Sequence, residues 1–361
     1  MADKNWKPIL FTQERFFELL EMTREYYGAE NDISQGDFLR HEYFENPAGD
    51  ALIDLAVDRE SDKLAGQYVV WPMRFLIGGR NVPCTCSLNT LTREDYCGQG
   101  IFTGLAERTY QRAALLGQQF CYGVPNQNSY PGFLKKLYFA DLGSVPLYLR
   151  PLQPSAMVRE FLHQDVLAAV AGATNPFFRA KGKKIPQGLR IVTLTVDTLP
   201  LMDRFWAAVA GKYPVMHIRD AVFAKFRYLN VPHRDYLPLL VLHAERPVGF
   251  AVGRIMEVAG MQCGMLADFL YAPGEERAAA ILLSTILTEL QKRGASVAGS
   301  LMLSHTQEAL LLRKHAFFRC PRKMEPQPFP LILRLFRDEL KTTGIMNLQS
   351  WFFTMGDYDV I

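Results

Sequence analysis

The decapeptide FLRHEYFENP at residues 38–47 returns without gaps as FAKFRYLNVP at 223–232, keeping Phe, a basic residue, Tyr and Pro at matched places. Two further pairs follow in the same order: LAGQYVV (64–70) with PVGFAVG (247–253), and FLKKLYF (133–139) with LLRKHAFF (311–318). The offsets are 185 (38 to 223), 183 (66 to 249) and 178 (134 to 312). Such a near-constant offset predicts one folding unit written twice, so the chain must close two similar cores. Its 361 residues allow two domains of ordinary size. Between the copies, ATNPFFRAKGKKIPQG carries the Gly, Pro and Lys content of a linker, and its basic residues Arg179, Lys181, Lys183 and Lys184 read as a solvated face. The expected division is a first domain over 1–150, a linker over 151–189 and a second domain over 190–361.

Within the first copy the patterns alternate. FTQERFFELLEMTREYYG is amphipathic at helical spacing and closes on Gly28. ALIDLAVD, LAGQYVVWPMRFLIGG and VPCTCSLNTLTRED read as strands, Ile101–Leu116 as a helix ended by Gly117, and QQFCYGVP as a buried strand. SYPGFLKKLYF then reads as a helix and SVPLYLRPL as a strand. The fold class is therefore α/β, with a mixed central sheet flanked by helices in each of two tandem units.

Composition narrows the function. Hydrophobic residues at 49% and charged residues at 21% are globular proportions, and a net charge of +3 is too small for a dedicated nucleic-acid binder. There is no run of 18 apolar residues to span a membrane, and MADKNWKPILF lacks the apolar stretch of a signal peptide. The six cysteines form no C-x-x-C pair and the seven histidines show no metal-ligand spacing, so reduced core cysteines, a cytoplasmic location and no metal are expected.

The sharpest local feature is DYCGQGIFTGL, Asp95–Leu105, where two glycines two apart sit at a strand-to-helix junction. Glycines there let backbone N–H groups approach a bulky anion, and the following helix points its positive end at the same spot. The wider segment LTREDYCGQGIFTGLAE resembles the acyl-CoA-binding motif of the GNAT acetyltransferase superfamily, V-x-P-x-x-R/Q-G-x-G-I-G/A before a helix. CYGVPNQNSYPGFLKKLYF is similar to that superfamily's second motif: a strand, an Asn-bearing turn and a helix ending near Gly-Phe. The likeness is clear over 1–150 and faint over 190–335, and it is nearest to the tandem GNAT proteins of bacterial polysaccharide pathways.

That resemblance implies an acetyl-CoA or other acyl-CoA site. The N–H groups of Cys97, Gly98, Gln99, Gly100, Ile101, Phe102 and Thr103 would cradle the pyrophosphate, and the strand edge at Leu91 and Thr92 would pair with pantetheine amides. Asn126 or Asn128 either bonds the pantetheine arm or only shapes its turn. Cys97 replaces the usual Arg or Gln, and Phe102 the usual small residue. Leu134 stands where the family places its acidic Tyr; Tyr130, one turn earlier, could serve only from a shifted helix. The second copy has YAPGEERAAAILL, with one Gly and with Glu275 and Glu276 at the helix start, which disfavours an anion. That copy is expected to have lost the cofactor.

For the general base, His41 and Glu42 stand out because the second copy has Phe226 and Arg227 there. The tail WFFTMGDYDVI has two readings. It is a terminal strand tying the edge of the second unit's sheet, or, as in the protein N-myristoyltransferases, it brings the terminal carboxylate, here that of Ile361, to the catalytic centre as base. The expected function is N-acyl transfer, most simply N-acetyl transfer, from acyl-CoA to a primary amine on a small molecule, an amino sugar being the first choice. Two alternatives stay open: an aminoacyl-tRNA-dependent peptidyltransferase-like protein, and a non-catalytic CoA-binding protein.

Overall fold

The computed structural model describes residues 5–162, 172–180, 182, 184–258 and 260–358. The first unit starts with β1 (Trp6–Leu10), α1 (Phe16–Tyr27) and α2 (Gly36–Phe44), followed by β2 (Leu52–Asp58), β3 (Leu64–Ile77) and β4 (Arg80–Thr92). Then come α3 (Ile101–Leu115), β5 (Phe120–Gly123), α4 (Tyr130–Lys136) and β6 (Ala140–Ser144). β1 to β4 form an antiparallel run, and β4 meets β5 in parallel. Apolar residues on one face of this sheet, among them Ala56, Tyr68 and Val70, close a core with Ile101 and Leu105 of α3 and with Phe133 of α4. The apolar stripe of α1, with Phe16, Leu19 and Leu20 buried, packs on β3.

The second unit uses β7 (Leu147–Pro151), β8 (Leu189–Thr193), β9 (Val215–His217), β10 (Tyr236–His243), β11 (Arg246–Val258), β12 (Met261–Tyr271), β13 (Val297–Leu301) and β14 (Phe318–Arg319). The remaining strand is β15 (Pro330–Leu335). The first sheet runs β1-β2-β3-β4-β5-β15-β6 and the second runs β14-β7-β13-β12-β11-β10-β8. The orders match, and each holds a parallel pair at the same place, β4·β5 and β12·β13. They also show an exchange: β7, from the end of the first copy, pairs with β13, while β15, from the end of the second, pairs with β5. The two units accordingly comprise Met1–Gly143, Val231–His233 and Phe329–Met346, and Ser144–Asn230, Arg234–Pro328 and Asn347–Ile361.

These bounds differ from the divisions at 150 and 190 suggested by the sequence. SVPLYLRPL is a strand, as its pattern indicates, but it belongs to the second sheet. β15 is fixed in the first by its buried Leu331, Ile332 and Leu333 and by Arg334, whose guanidinium donates to both oxygens of Glu107 on α3 at 2.7 and 2.9 Å. The stretch 151–189 is not wholly irregular either, since α5 (Pro154–Leu162) opens it. Lys181 and Lys183 lie outside the described residues; Arg179 and Lys184 are exposed.

Both copies place a non-glycine residue in the left-handed region just after the helix that follows the parallel strand: Tyr138 (φ 56°) before Phe139, and Ala316 (φ 61°) before Phe317. In the resembling motif a glycine occupies this place. A β-carbon there costs about 1–2 kcal/mol, part of which glycine's looser unfolded chain cancels. Tyr138, 79% exposed, has few packing contacts to lose. Tyr138→Gly should therefore raise stability by up to about 1 kcal/mol, read as a higher urea midpoint; a lower midpoint would show that the tyrosine ring holds this corner.

The C-terminal segment is a buried strap. Trp351, Phe352 and Phe353 are fully enclosed, Trp351 bridges in parallel to Val215 of β9, and the Phe352 N–H donates to the Val215 carbonyl at 2.9 Å. Thr354 and Asp357 cap one another, and Asp357 accepts from Arg219 at 2.8 Å. Arg219 also donates to Asp268 of β12 at 2.8 Å, so one buried cation joins two buried carboxylates. Among the described residues the tail adds no strand to the edge of the second sheet; it is tied instead to Val215 and to the Arg219–Asp268 pair. Asp357 is committed to that cation, and Ile361 lies outside the described residues.

Candidate acyl-CoA site

β4 and β5 pair only at Thr85↔Cys121 and Cys86↔Tyr122. Beyond that point β4 continues to Thr92 while β5 ends at Gly123, so the β5-side edge of Ser87–Thr92 faces a gap. Among the described residues no strand pairs with that edge. Leu91 and Thr92 face Gln67 and Gly66 on the β3 side, which leaves their other edge for an extended ligand. Between Leu88 and Leu91 the register slips by one residue. The bulge contains Asn89, held at φ 45°. Its side chain donates to Glu42 and to the Tyr43 hydroxyl, both at 3.0 Å, and its carbonyl accepts from Gln67 at 2.8 Å.

The strand then enters the glycine turn, which is anchored at several points. Arg93 Nε donates to the Leu64 carbonyl at 2.8 Å, the Tyr96 hydroxyl to Asp58 at 3.0 Å, and Trp6 Nε1 to the Gln99 carbonyl at 3.2 Å. Asp58 also accepts from the Ser61 N–H and hydroxyl, and these bonds pull its carboxyl down to about 2. Gly98 and Gly100 both have positive φ, 79° and 76°; a β-carbon on Gly98 would point into open space, and one on Gly100 would meet only the Thr103 hydroxyl, at an ordinary 3.8 Å. Gly100 is the residue before α3, so the N–H groups of Ile101, Phe102 and Thr103 have no carbonyl of the helix to bond. The first turn of α3 carries no acidic residue, leaving its positive end uncompensated. The arrangement is an exposed nest of donors at the mouth of the gap, suited to a pyrophosphate.

Side chains in the turn have other duties. Ile101 is buried against Gly66, where a β-carbon would come within 2.9 Å of it. Phe102 packs edge-on to Phe133 and Tyr68 and lies over Gly132 of α4, which explains a large residue where the motif has a small one. Cys97 is exposed; the other five cysteines are buried, and all six are free.

The acid and base candidates separate. Tyr130 starts α4, and its hydroxyl donates to Asp141 of β6 at 2.7 Å; that bond pushes it up to about 12. Leu134 packs against the core. Asn126 is a turn former, its Oδ1 accepting from the N–H groups of Asn128 and Ser129 at 3.0 Å, while Asn128 is exposed. On α2, His41 pairs with Glu45 at 2.9 Å, whereas Glu42 is 5% exposed and reaches the bulge through Asn89. The structure thus joins Glu42 to the β4 edge through Asn89. Asn89 and Gln67 escape a pattern reading. Their only sequence signal is an amide in the middle of each of two long strand patterns, where amides are disfavoured. A separate open groove of about 670 Å³ beside Arg93 holds the pairs of Arg15 with Glu18 and Asp62 and of Arg93 with Glu25.

Residues 10–139 match the family model described as an acetyltransferase (GNAT) domain. That stretch of the first unit thus carries a GNAT domain, and the two mixed sheets flanked by helices fit two tandem GNAT-like units. Among solved structures it is similar to a GCN5-related N-acetyltransferase from Anabaena variabilis at 13% identity, with a TM-score of 0.64, covering 92% of this chain and 73% of that one. It is also similar to Saccharomyces cerevisiae N-myristoyltransferase with bound myristoyl-CoA, at 10% identity and a TM-score of 0.64, covering 92% and 83%. A probable N-acyltransferase from Enterococcus faecalis aligns at 11% identity and a TM-score of 0.64, covering 91% and 72%. No curated protein sequence matches the chain. Among the described residues, no helix is long and apolar enough to cross a membrane.

Proposed function

We propose that the first unit binds one acyl-CoA along the open edge of β4 and transfers its acyl group to a primary amine, an amino sugar being the first acceptor class to test. The observation that carries this is the joining of an unpaired strand edge, Ser87–Thr92, to an anchored nest of donors at Gly98–Thr103. In this arrangement the turn holds the pyrophosphate, the β4 edge aligns the pantetheine, and a bulge N–H near Asn89 steadies the carbonyl oxygen as charge develops. Glu42 takes the proton that the amine must lose before it attacks. The intact turn argues against an aminoacyl-tRNA donor.

The second unit supports a single site. Tyr271, at the place of Thr92, has its carbonyl bonded by Lys212 at 2.8 Å, and Lys212 in turn pairs with Glu308 at 2.6 Å. Glu308 is fully buried and also accepts from the Tyr213 hydroxyl. Protein side chains therefore cover the strand edge that is open in the first copy. Glu276 lies in the first turn of the helix Glu276–Lys292, at its positive end.

Thiol release from acetyl-CoA across a panel of amines tests the transfer, and binding of CoA without release on any amine would favour the non-catalytic reading. Tyr130→Phe should lower kcat by less than about tenfold, because its proton is held by Asp141, whereas a true general acid would cost about a hundredfold or more. A hundredfold loss would restore Tyr130 as the acid.

A further inference from the structure

Gln67 is 1% exposed on β3. Its neighbour Tyr68 packs edge-on against Tyr110 of α3, so strand alternation turns Gln67 to the opposite face, where α2 brings Glu42 and Tyr43. The bond from Gln67 Nε2 to the Asn89 carbonyl fixes the amide, since a flipped one would set two oxygens against each other. Its Oε1 is then a buried acceptor with no partner among the described residues. Buried polar atoms in native proteins are rarely left so, and this one belongs to a cluster tied together by Asn89 at the bulge. The cluster presents a carboxamide oxygen and a carboxylate, both acceptors.

We propose that Gln67 Oε1 and Glu42 form the seat for the acceptor's amino group and select a primary alkylammonium, with Asn89 as the positioning residue. This rests on acyl transfer at the gap beside β4. An ammonium offers three donors and a positive charge, which the carboxylate and the unsatisfied carboxamide oxygen complement. The second copy has Phe250 and Arg227 at these places, an apolar ring and a cation, and it lacks the seat.

The test uses acetyl-CoA with two probes: n-butylamine, cationic at neutral pH, and hydroxylamine, neutral there. Glu42→Gln keeps shape and the bond from Asn89, and Gln67→Met removes the acceptor oxygen. Each should raise the KM for n-butylamine by about tenfold or more and leave that for hydroxylamine, and the affinity for CoA, within about twofold. Equal changes for both amines would reduce the cluster to a structural clamp and overturn the seat. So would a wild-type protein that acetylates hydroxylamine but not n-butylamine. Failure of the wild type to bind CoA at all would instead overturn the acyl-transfer reading beneath it.

Discussion

Gly100→Glu should weaken CoA binding by at least about tenfold, which is about 1.4 kcal/mol. Gly100 sits at φ 76° immediately before α3, and a β-carbon there would lie 3.8 Å from the Thr103 hydroxyl at the helix start, so the new carboxylate would project into the donor nest. Two effects add. The charge opposes a pyrophosphate, and it satisfies the helix's positive end that the ligand would otherwise use. Gly100→Ala separates backbone strain from charge. It should cost about 1–2 kcal/mol of stability but change affinity far less. If alanine weakens binding as much as glutamate does, conformation alone sets the turn.

Asp357→Ala should destabilise the second unit by about 3 kcal/mol, because Arg219 loses one of its two buried carboxylates and Thr354 loses its reciprocal cap. Arg219 is fully buried between Asp268 and Asp357, and Thr354 also accepts from it at 3.0 Å. The two carboxylates respond differently. Asp357 is held below the usual range, with the Arg219 charge and the His217 ring outweighing burial, whereas for Asp268 burial outweighs Arg219 and lifts it. Calorimetric melting should show a drop on the order of 10 °C. Because the loss is structural, CoA affinity per folded molecule should be retained; lost affinity at unchanged melting temperature would assign the tail to the ligand site.

Much of this was legible in the sequence because it is local or repeated. The duplication, the strand and helix types, and the glycine turn all follow from spacing and from residues with special backbone behaviour. The exchange of β7 and β15 was not legible. LYLRP and PLILRL each announce a strand, but both sheets offer the same slot beside their parallel pair, and the choice is made by distant partners such as Glu107 for Arg334. The base candidate was legible only as a pair: His41 and Glu42 differ from the second copy alike, and the bond from Asn89 to Glu42 became visible only with the fold. Gln67 could not be read as a site residue until β3 alternation and the bulge in β4 placed its side chain. Phe102 departs from the motif for a packing reason, since Gly132 on another helix makes room for it.

Isothermal titration of the full chain with CoA tests the central claim, one donor-nest site on the first unit. One CoA should bind per chain, with that binding weakened at least about tenfold by Gly100→Glu and unaltered by substitution of Gly274. Two CoA per chain, or undiminished binding with glutamate at position 100, would contradict it.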